Sequence, residues 1–332
     1  MSEQTENTVT PAPPAPPTAT RTRRRGVPLE PVFPLAILVI LCIVLSFVSN
    51  VFLTSNNLSN LLGNAAVLAI VSFGVTVVVI SGEFDLSVGS GAGLSGMVAA
   101  WVMVNSGSMW VGLLAGIGTG IAIGLTNGVL SSYMRVPSFI ATLAMLVIAR
   151  GLAQTITSGI AVTGLPGAFT TFVSGEFLGI PNEAWIALVF LGFVYVLLHH
   201  TRLGMQIFAV GGNAEAARLA GIDVNRVRTA AFVLSGLAMA IAGLVLAGRL
   251  FSAQPNAGEL LELYAVAAVV LGGTSLYGGR GSVLWTVVGV LLIAAIQNGL
   301  TLASVESNIQ NVILGAVFIL AALTGVVRRR AG

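Results

Sequence analysis

The chain has 332 residues, 56% of them hydrophobic and 8% charged, with a formal net charge of +3. A soluble domain carries roughly 25% charged residues, whereas here, with residues 1–30 and the last five set aside, 17 charged side chains remain in 297 residues. That is too few to solvate a cytosolic globule, and the apolar content excludes disorder, so the composition fits an all-α polytopic membrane bundle solvated by lipid.

Residues 1–20 are rich in Pro, Ala, Thr, Ser and Glu and have no apolar periodicity. With Arg21, Arg23, Arg24 and Arg25 they predict a disordered cytoplasmic tail over 1–31. The apolar run from Phe33 to Val48 has no small-residue cleavage site after it, so it reads as a retained first span rather than a signal peptide. A hydrocarbon core of ~30 Å needs about 20 apolar residues in a helix. By that rule the spans fall at 33–48, 58–80, 86–104, 110–131, 138–158, 184–198, 229–248, 262–272, 283–303 and 308–327. About ten transmembrane helices are expected, in one domain over 32–327, with a short cytoplasmic C-terminal tail at 328–332. The eighth run covers only about half a bilayer at about 1.5 Å per residue. Gly272-Gly273 and the polar stretch Thr274 to Ser282 follow it. A broken or re-entrant element is expected there, since irregular backbone at membrane depth must be buried in protein or line a cavity.

Ten spans place both termini on one side. Arg21, Arg23, Arg24, Arg25, Arg135, Arg202, Arg218, Arg226, Arg228, Arg280, Arg328, Arg329 and Arg330 then share that side, 13 of the 15 arginines. By the positive-inside rule that side is the cytoplasm. Arg150 and Arg249 are the exceptions, and Glu176, Glu183, Glu259, Glu262 and Glu306 fall outside. Two outer loops (159–183 and 249–262) and one large inner loop (199–228) result.

Gly112, Gly116, Gly120, Gly124 and Gly128 repeat every four residues in the fourth span. Such a ribbon lets another helix approach closely and by itself signals packing. A shift of 190 residues aligns Gly82 with Gly272, Leu86 with Leu276, Gly89 with Gly279, Gly91 with Gly281 and Leu94 with Leu284. That echo suggests an internal duplication of the kind seen in transporters.

All fifteen basic residues are arginine. The absence of lysine excludes a P-loop lysine and a Schiff-base lysine, so the chain is not a standard ATPase by itself. No nucleophile, base or metal-ligand constellation is apparent; His199 and His200 are adjacent, point about 100° apart on a helix, and suit a helix C-terminus better than a metal. In the inner loop Asn213 is a good N-cap, Glu215 sits in the first turn, Arg218 near the last, and Gly221 can close the helix in the left-handed conformation. This predicts an isolated helix of about seven residues with Ala216, Leu219 and Ala220 on one face. So short a helix is a poor structural element by itself; it reads either as a plain connector or as a knob that docks on another protein. Asp85 reads either as the N-cap of the span that follows or as a pathway or gating carboxylate. Asn64, Asn127, Gln297, Asn298 and Asn311 are uncharged polar residues inside spans, suited to interhelical hydrogen bonds or to contacts with a passing sugar.

Several segments together resemble one family. Glu215-Ala216-Ala217, three residues and then Gly221 look like the Glu-Ala-Ala loop of ABC importer permeases, although Ala231 stands where a distal Ile is usual and the Leu-Pro is absent. Gly82-Glu83-Phe84-Asp85-Leu86-Ser87-Val88-Gly89-Ser90, Asn127-Gly128, Val136-Pro137-Ser138-Phe139-Ile140-Ala141-Thr142-Leu143, Leu271-Gly272-Gly273-Thr274-Ser275-Leu276-Tyr277-Gly278-Gly279-Arg280-Gly281 and Asn298-Gly299-Leu300 resemble the ribose/xylose/arabinose-type permeases.

The resemblance implies a homodimeric pore in the bacterial inner membrane. A monosaccharide reaches it from an extracytoplasmic binding protein, and cytoplasmic ATP-binding-cassette subunits that use ATP and Mg drive it. By the same resemblance the chain itself would bind no cofactor and would be no enzyme. Asn213, Glu215, Ala216, Ala217, Arg218, Leu219 and Gly221 would form the coupling helix. Asp85, Asn127, Gln297, Asn298 and Asn311 are the pathway or gating candidates. A branched-chain amino acid permease is the nearest alternative; the lack of a basic outer-facing pathway residue fits a neutral sugar better. An ion-coupled secondary transporter fits less well, for want of midspan charges.

Overall fold

The computed structural model describes residues 32–330, with side chains from 33 to 319. The tail expected over 1–31 lies outside the described residues. In chain order the helices are α1 (Val32–Val48), α2 (Ser55–Ile80), α3 (Val88–Ser106), α4 (Met109–Ser132), α5 (Ser138–Thr155) and α6 (Gly167–Ser174). There follow α7 (Asn182–His200), α8 (Arg202–Gly212), α9 (Ala214–Leu219), α10 (Val224–Arg249), α11 (Leu261–Leu271), α12 (Val283–Leu302) and α13 (Ser307–Arg330). Every apolar run of the sequence coincides with one of them. Among the described residues seven helices are long and apolar enough to cross a membrane, and α1, α11 and α13 add shorter apolar stretches. Among the described residues the only sheet is a hairpin of β1 (Glu176–Phe177) and β2 (Ile180–Pro181). Its turn, Leu178-Gly179, has both φ angles positive, as a two-residue hairpin loop requires.

Three boundaries differ from the hydropathy marking. α10 begins five residues before its apolar run, at Val224, because the Asp223 side chain accepts a bond from the Arg226 amide at 3.1 Å and caps it. The stretch 199–228, expected as an inner loop, is mostly helix. α13 continues through Arg330, so the stretch expected as a C-terminal tail begins as helix.

α2 runs through the middle of the bundle. Between Gly63 and Ile80 every residue but Asn64 is buried. α10 packs against α2, α3 and α4. The glycine ribbon of α4 makes this possible. A Cβ at Gly120 would stand 2.3 Å from the Gly236 carbonyl oxygen, and one at Gly236 would stand 2.2 Å from that of Gly120. Gly124 and Gly128 likewise meet Phe232 and Thr229 of α10, while Gly112 and Gly116 meet α3. The ribbon is thus a packing device, but it serves two neighbours instead of one.

α2 ends in a Schellman turn: Gly82 has φ 86°, the Glu83 amide donates to the Val78 carbonyl and the Gly82 amide to that of Val79. α11 ends identically, with Gly273 at φ 80°, Thr274 donating to Val269 and Gly273 to Val270. Gly82 therefore corresponds to Gly273, one residue off the register suggested by the sequence echo. Beyond these caps the echo fails, because Gly89 lies in α3 whereas Gly279 lies in a loop.

Two helices start inside the bundle. Asp85 bonds Ser235, and a Cβ at Gly91 would meet Met239, so α3 begins level with the middle of α10. The connection 250–260, expected as an outer loop, folds down to that level. A Cβ at Gly258 would lie 2.4 Å from the Gly89 carbonyl oxygen, and one at Gly93 2.7 Å from that of Ala257. Arg150 replaces water for this stretch, with Nη1 donating to the carbonyls of Pro255 (3.1 Å) and Ala257 (2.9 Å). α11 thus begins at mid-bundle and spans only its 11 residues, as the short eighth run implied.

After α11 the chain turns along the same end of the bundle as α8 and α9. The Gly279 amide donates to the Ile80 carbonyl at 2.8 Å. Added Cβ atoms at Gly211, Gly278 and Gly279 would stand 1.7 Å from the Ile80 carbonyl oxygen, 2.8 Å from Gly82 Cα and 2.6 Å from Gly212 Cα. Main chain from three segments meets here with no side chain between.

Candidate functional site

α9 is six residues, Ala214–Leu219, one fewer than its caps suggest. Asn213 Oδ1 accepts from the amides of Glu215 (3.1 Å) and Ala216 (3.0 Å). At the other end Gly221 takes φ 84°, and the Ile222 amide donates to the Ala217 carbonyl at 3.0 Å. Arg218 Nη1 pairs with Glu215 Oε2 at 3.0 Å on the surface. Ala217 is 5% exposed and packs inward, whereas Leu219 is 82% exposed. Ala216 and Ala220 are exposed beside it. α9 therefore presents a small apolar face outward.

α8, within the stretch expected as a loop, supports it. Thr201 caps it by accepting from the Gly204 amide at 3.2 Å, and Gly204, Ile207 and Val210 are buried. The capping threonine and the spacing of Leu203, Ile207 and Val210 were the available signal. His199 stacks on Tyr195 with ring centroids 4.5 Å apart, and its Nδ1 lies 3.1 Å from the Tyr195 carbonyl.

Asp85 is fully buried. Its Oδ1 accepts from the Ser87 amide (3.0 Å) and Ser87 Oγ (2.7 Å), and its Oδ2 from Ser235 Oγ (2.8 Å). Asn127 Nδ2 donates to Ser87 Oγ at 2.8 Å. The N-cap of α3 is Ser87, not Asp85. Asp85 is instead the hub of a buried network joining the α2–α3 connection to α4 and α10. Next to it, Glu83 Oε1 pairs with Arg228 Nη1 at 2.9 Å, and the Phe84 amide donates to Ser138 Oγ at 3.2 Å.

The late amides separate into different roles. Asn298 and Asn57 exchange two side-chain bonds, at 2.8 and 3.0 Å. The Tyr264 hydroxyl donates to Asn311 Oδ1 at 2.6 Å. Gln297 and Tyr264 line a cavity of about 200 Å³ between α2, α10, α11 and α12, together with Asn64, Arg249 and Glu259. Gly258 and Leu261, where α11 begins, border it too. Of the pathway candidates only Gln297 reaches this cavity directly, and Asn311 reaches it through Tyr264. Asp85, Asn127 and Asn298 do not line it. A basic residue does, contrary to the sequence reading, but Arg249 Nε stands 3.6 Å from Glu183 Oε1 and so has a carboxylate partner.

The family model described as "Branched-chain amino acid transport system / permease component" matches residues 57–322. The ribose import permease protein RbsC of Escherichia coli (strain K12) is 43% identical over 285 residues, covering 84% of this chain and 88% of the relative. That of Bacillus subtilis (strain 168) is 41% identical over 283 residues, covering 85% and 88%. The L-arabinose ABC transporter permease protein AraH of Azospirillum brasilense is 39% identical over 287 residues, covering 86% and 84%. No solved structure matches the chain. A helical bundle matched over most of its length by one model, and by relatives along most of theirs, belongs to that family: the chain is an ABC-importer permease component.

Proposed function

We propose that the protein is the membrane-spanning subunit of an ATP-driven importer for a monosaccharide of the ribose or arabinose kind. The sugar class follows the relatives, which are named for ribose and L-arabinose and match along at least 84% of their own lengths. The family description names branched-chain amino acids, but a zwitterion asks for an unpaired cation and anion in the path, and Arg249 is already held by Glu183. Energy enters from outside the chain, which has no lysine with which to build a nucleotide phosphate site.

The observation that carries the coupling role is α9, a rigidly capped helix showing Ala216, Leu219 and Ala220 to solvent. In this reading α9 sits in a groove of a cytoplasmic ATP-binding-cassette subunit that uses ATP and Mg, and both termini are cytoplasmic. Two copies of the chain form the pore in the inner membrane, and a sugar-binding protein docks on the opposite face. The test is uptake in liposomes holding the permease, its ATPase and a loaded sugar-binding protein. Radiolabelled D-ribose or L-arabinose should accumulate with ATP and not with a proton or sodium gradient. Accumulation by the permease alone, driven by such a gradient, would refute the assignment.

A further inference from the structure

We infer that the cavity between α2, α10, α11 and α12 is a transit site for one neutral polyhydroxylated solute, held by Asn64, Gln297 and Tyr264; this rests on the function proposed above. α2 shows why. It is sealed on all sides from Gly63 to Ile80 except at one position, and that position is an amide facing the cavity. A central helix in an apolar bundle gains nothing in packing from a polar side chain there; an aliphatic residue would fill the space.

Gln297 and Tyr264 bring two further uncharged groups to the same space from two other helices. Tyr264 is fixed by its bond to Asn311, so its ring is presented in one orientation. Amides and a phenol offer both donors and acceptors, as hydroxyls require. Val67 and Leu68 supply an apolar wall for the C–H face of a sugar ring. At about 200 Å³ the cavity is large for water alone, since one water requires only ~10–15 Å³.

Its charges give an ionic solute little hold. Arg249 is engaged by Glu183, and the remaining carboxylate, Glu259, is exposed. Gly258 and Leu261, at the start of α11, form part of its wall. A solute there lies beside Arg249, at the end of α10, and is bound by a few bonds only, as passage demands.

The test uses the complete transporter in liposomes with a saturating loaded binding protein. Asn64→Leu and Gln297→Leu should each lower ATP-driven D-ribose uptake by about tenfold, because a site built for hydroxyls loses its partners. ATP hydrolysis stimulated by the loaded binding protein should stay within about twofold, and Asn64→Gln and Gln297→Asn should restore part of the uptake. With the chain's single cysteine removed by Cys42→Ala, a cysteine placed by Asn64→Cys should react with a membrane-impermeant maleimide, and ribose-loaded binding protein with ATP should slow that reaction. Undiminished uptake in both leucine variants would overturn the site. So would an equal loss of uptake and hydrolysis, which marks a purely structural role. If wild type moves L-leucine and no sugar, the proposed function itself fails, an outcome visible before any variant is made.

Discussion

Replacing Asp85 by alanine should destabilise the protein far more than replacing it by asparagine. Alanine strands three buried donors: the Ser87 amide, Ser87 Oγ and Ser235 Oγ. The amide is fixed and bears the full cost of an unpaired buried donor, about 1–3 kcal/mol. Each hydroxyl can turn toward a helix carbonyl, so its loss is smaller, about 0.6 kcal/mol for an interhelical bond in a membrane protein. The sum is about 2–4 kcal/mol. Asparagine keeps an oxygen for the two Ser87 bonds, and its amide can donate to the Ser235 hydroxyl, so it should cost less than about 1 kcal/mol. At about 2–4 °C per kcal/mol, alanine should lower the thermal midpoint by about 4–16 °C and asparagine by less than about 4 °C. Intrinsic fluorescence of the four tryptophans during heating in detergent reads this directly. Uptake by the asparagine variant should be near wild type, since Asp85 lies outside the cavity. Equal midpoints for the two variants would refute the hub, and abolished uptake with an unchanged midpoint would return Asp85 to the pathway.

Glu215→Ala removes only an exposed ion pair, worth less than about 0.5 kcal/mol, so the thermal midpoint should hold while ATP-driven uptake falls in part. Unchanged uptake in a variant that still holds its ATPase would remove the coupling role from that residue. Asn213→Ala should act differently, costing about 1 kcal/mol at the cap and loosening α9, seen as faster amide hydrogen exchange at Glu215 and Ala216. Gly236→Ala drives a methyl to 2.2 Å from the Gly120 carbonyl oxygen and should cost about 1–3 kcal/mol. Gly118→Ala, with nothing within 4 Å, should be neutral or stabilising on the same thermal scan. Gly211→Ala, whose methyl would reach within 1.7 Å of the Ile80 carbonyl oxygen, should separate hydrolysis from transport, the ATPase rate persisting while uptake is lost.

What is local was legible in the sequence. Apolar runs fix the spans because lipid rewards length and hydropathy directly. The cap residues Asn213 and Gly221 fix α9 because their partners lie within four residues. What depends on distant chain was not legible. Nothing in spacing tells that Asn57 meets Asn298, 241 positions away, or that Asn64, Tyr264 and Gln297 share one space. Asp85 sits where an N-cap belongs, and only Ser235, 150 residues on, reveals that it turns inward. The early start of α10 was hidden because Asn225, Arg226 and Arg228 are polar but helical, and hydropathy counts only the apolar part of a helix. The inward fold of 250–260 depends on Arg150, whose carbonyl partners are more than 100 positions away.

Where Gly82, Gly211 and Gly278 come together, peptide groups rest on one another directly. Most joints in a protein are cushioned, since a flexible side chain can swing aside and absorb a small shove. This one has no cushion. Whatever nudges α8 must be felt at once by the end of α2 and by the loop that joins α11 to α12, with no slack in which the movement is lost.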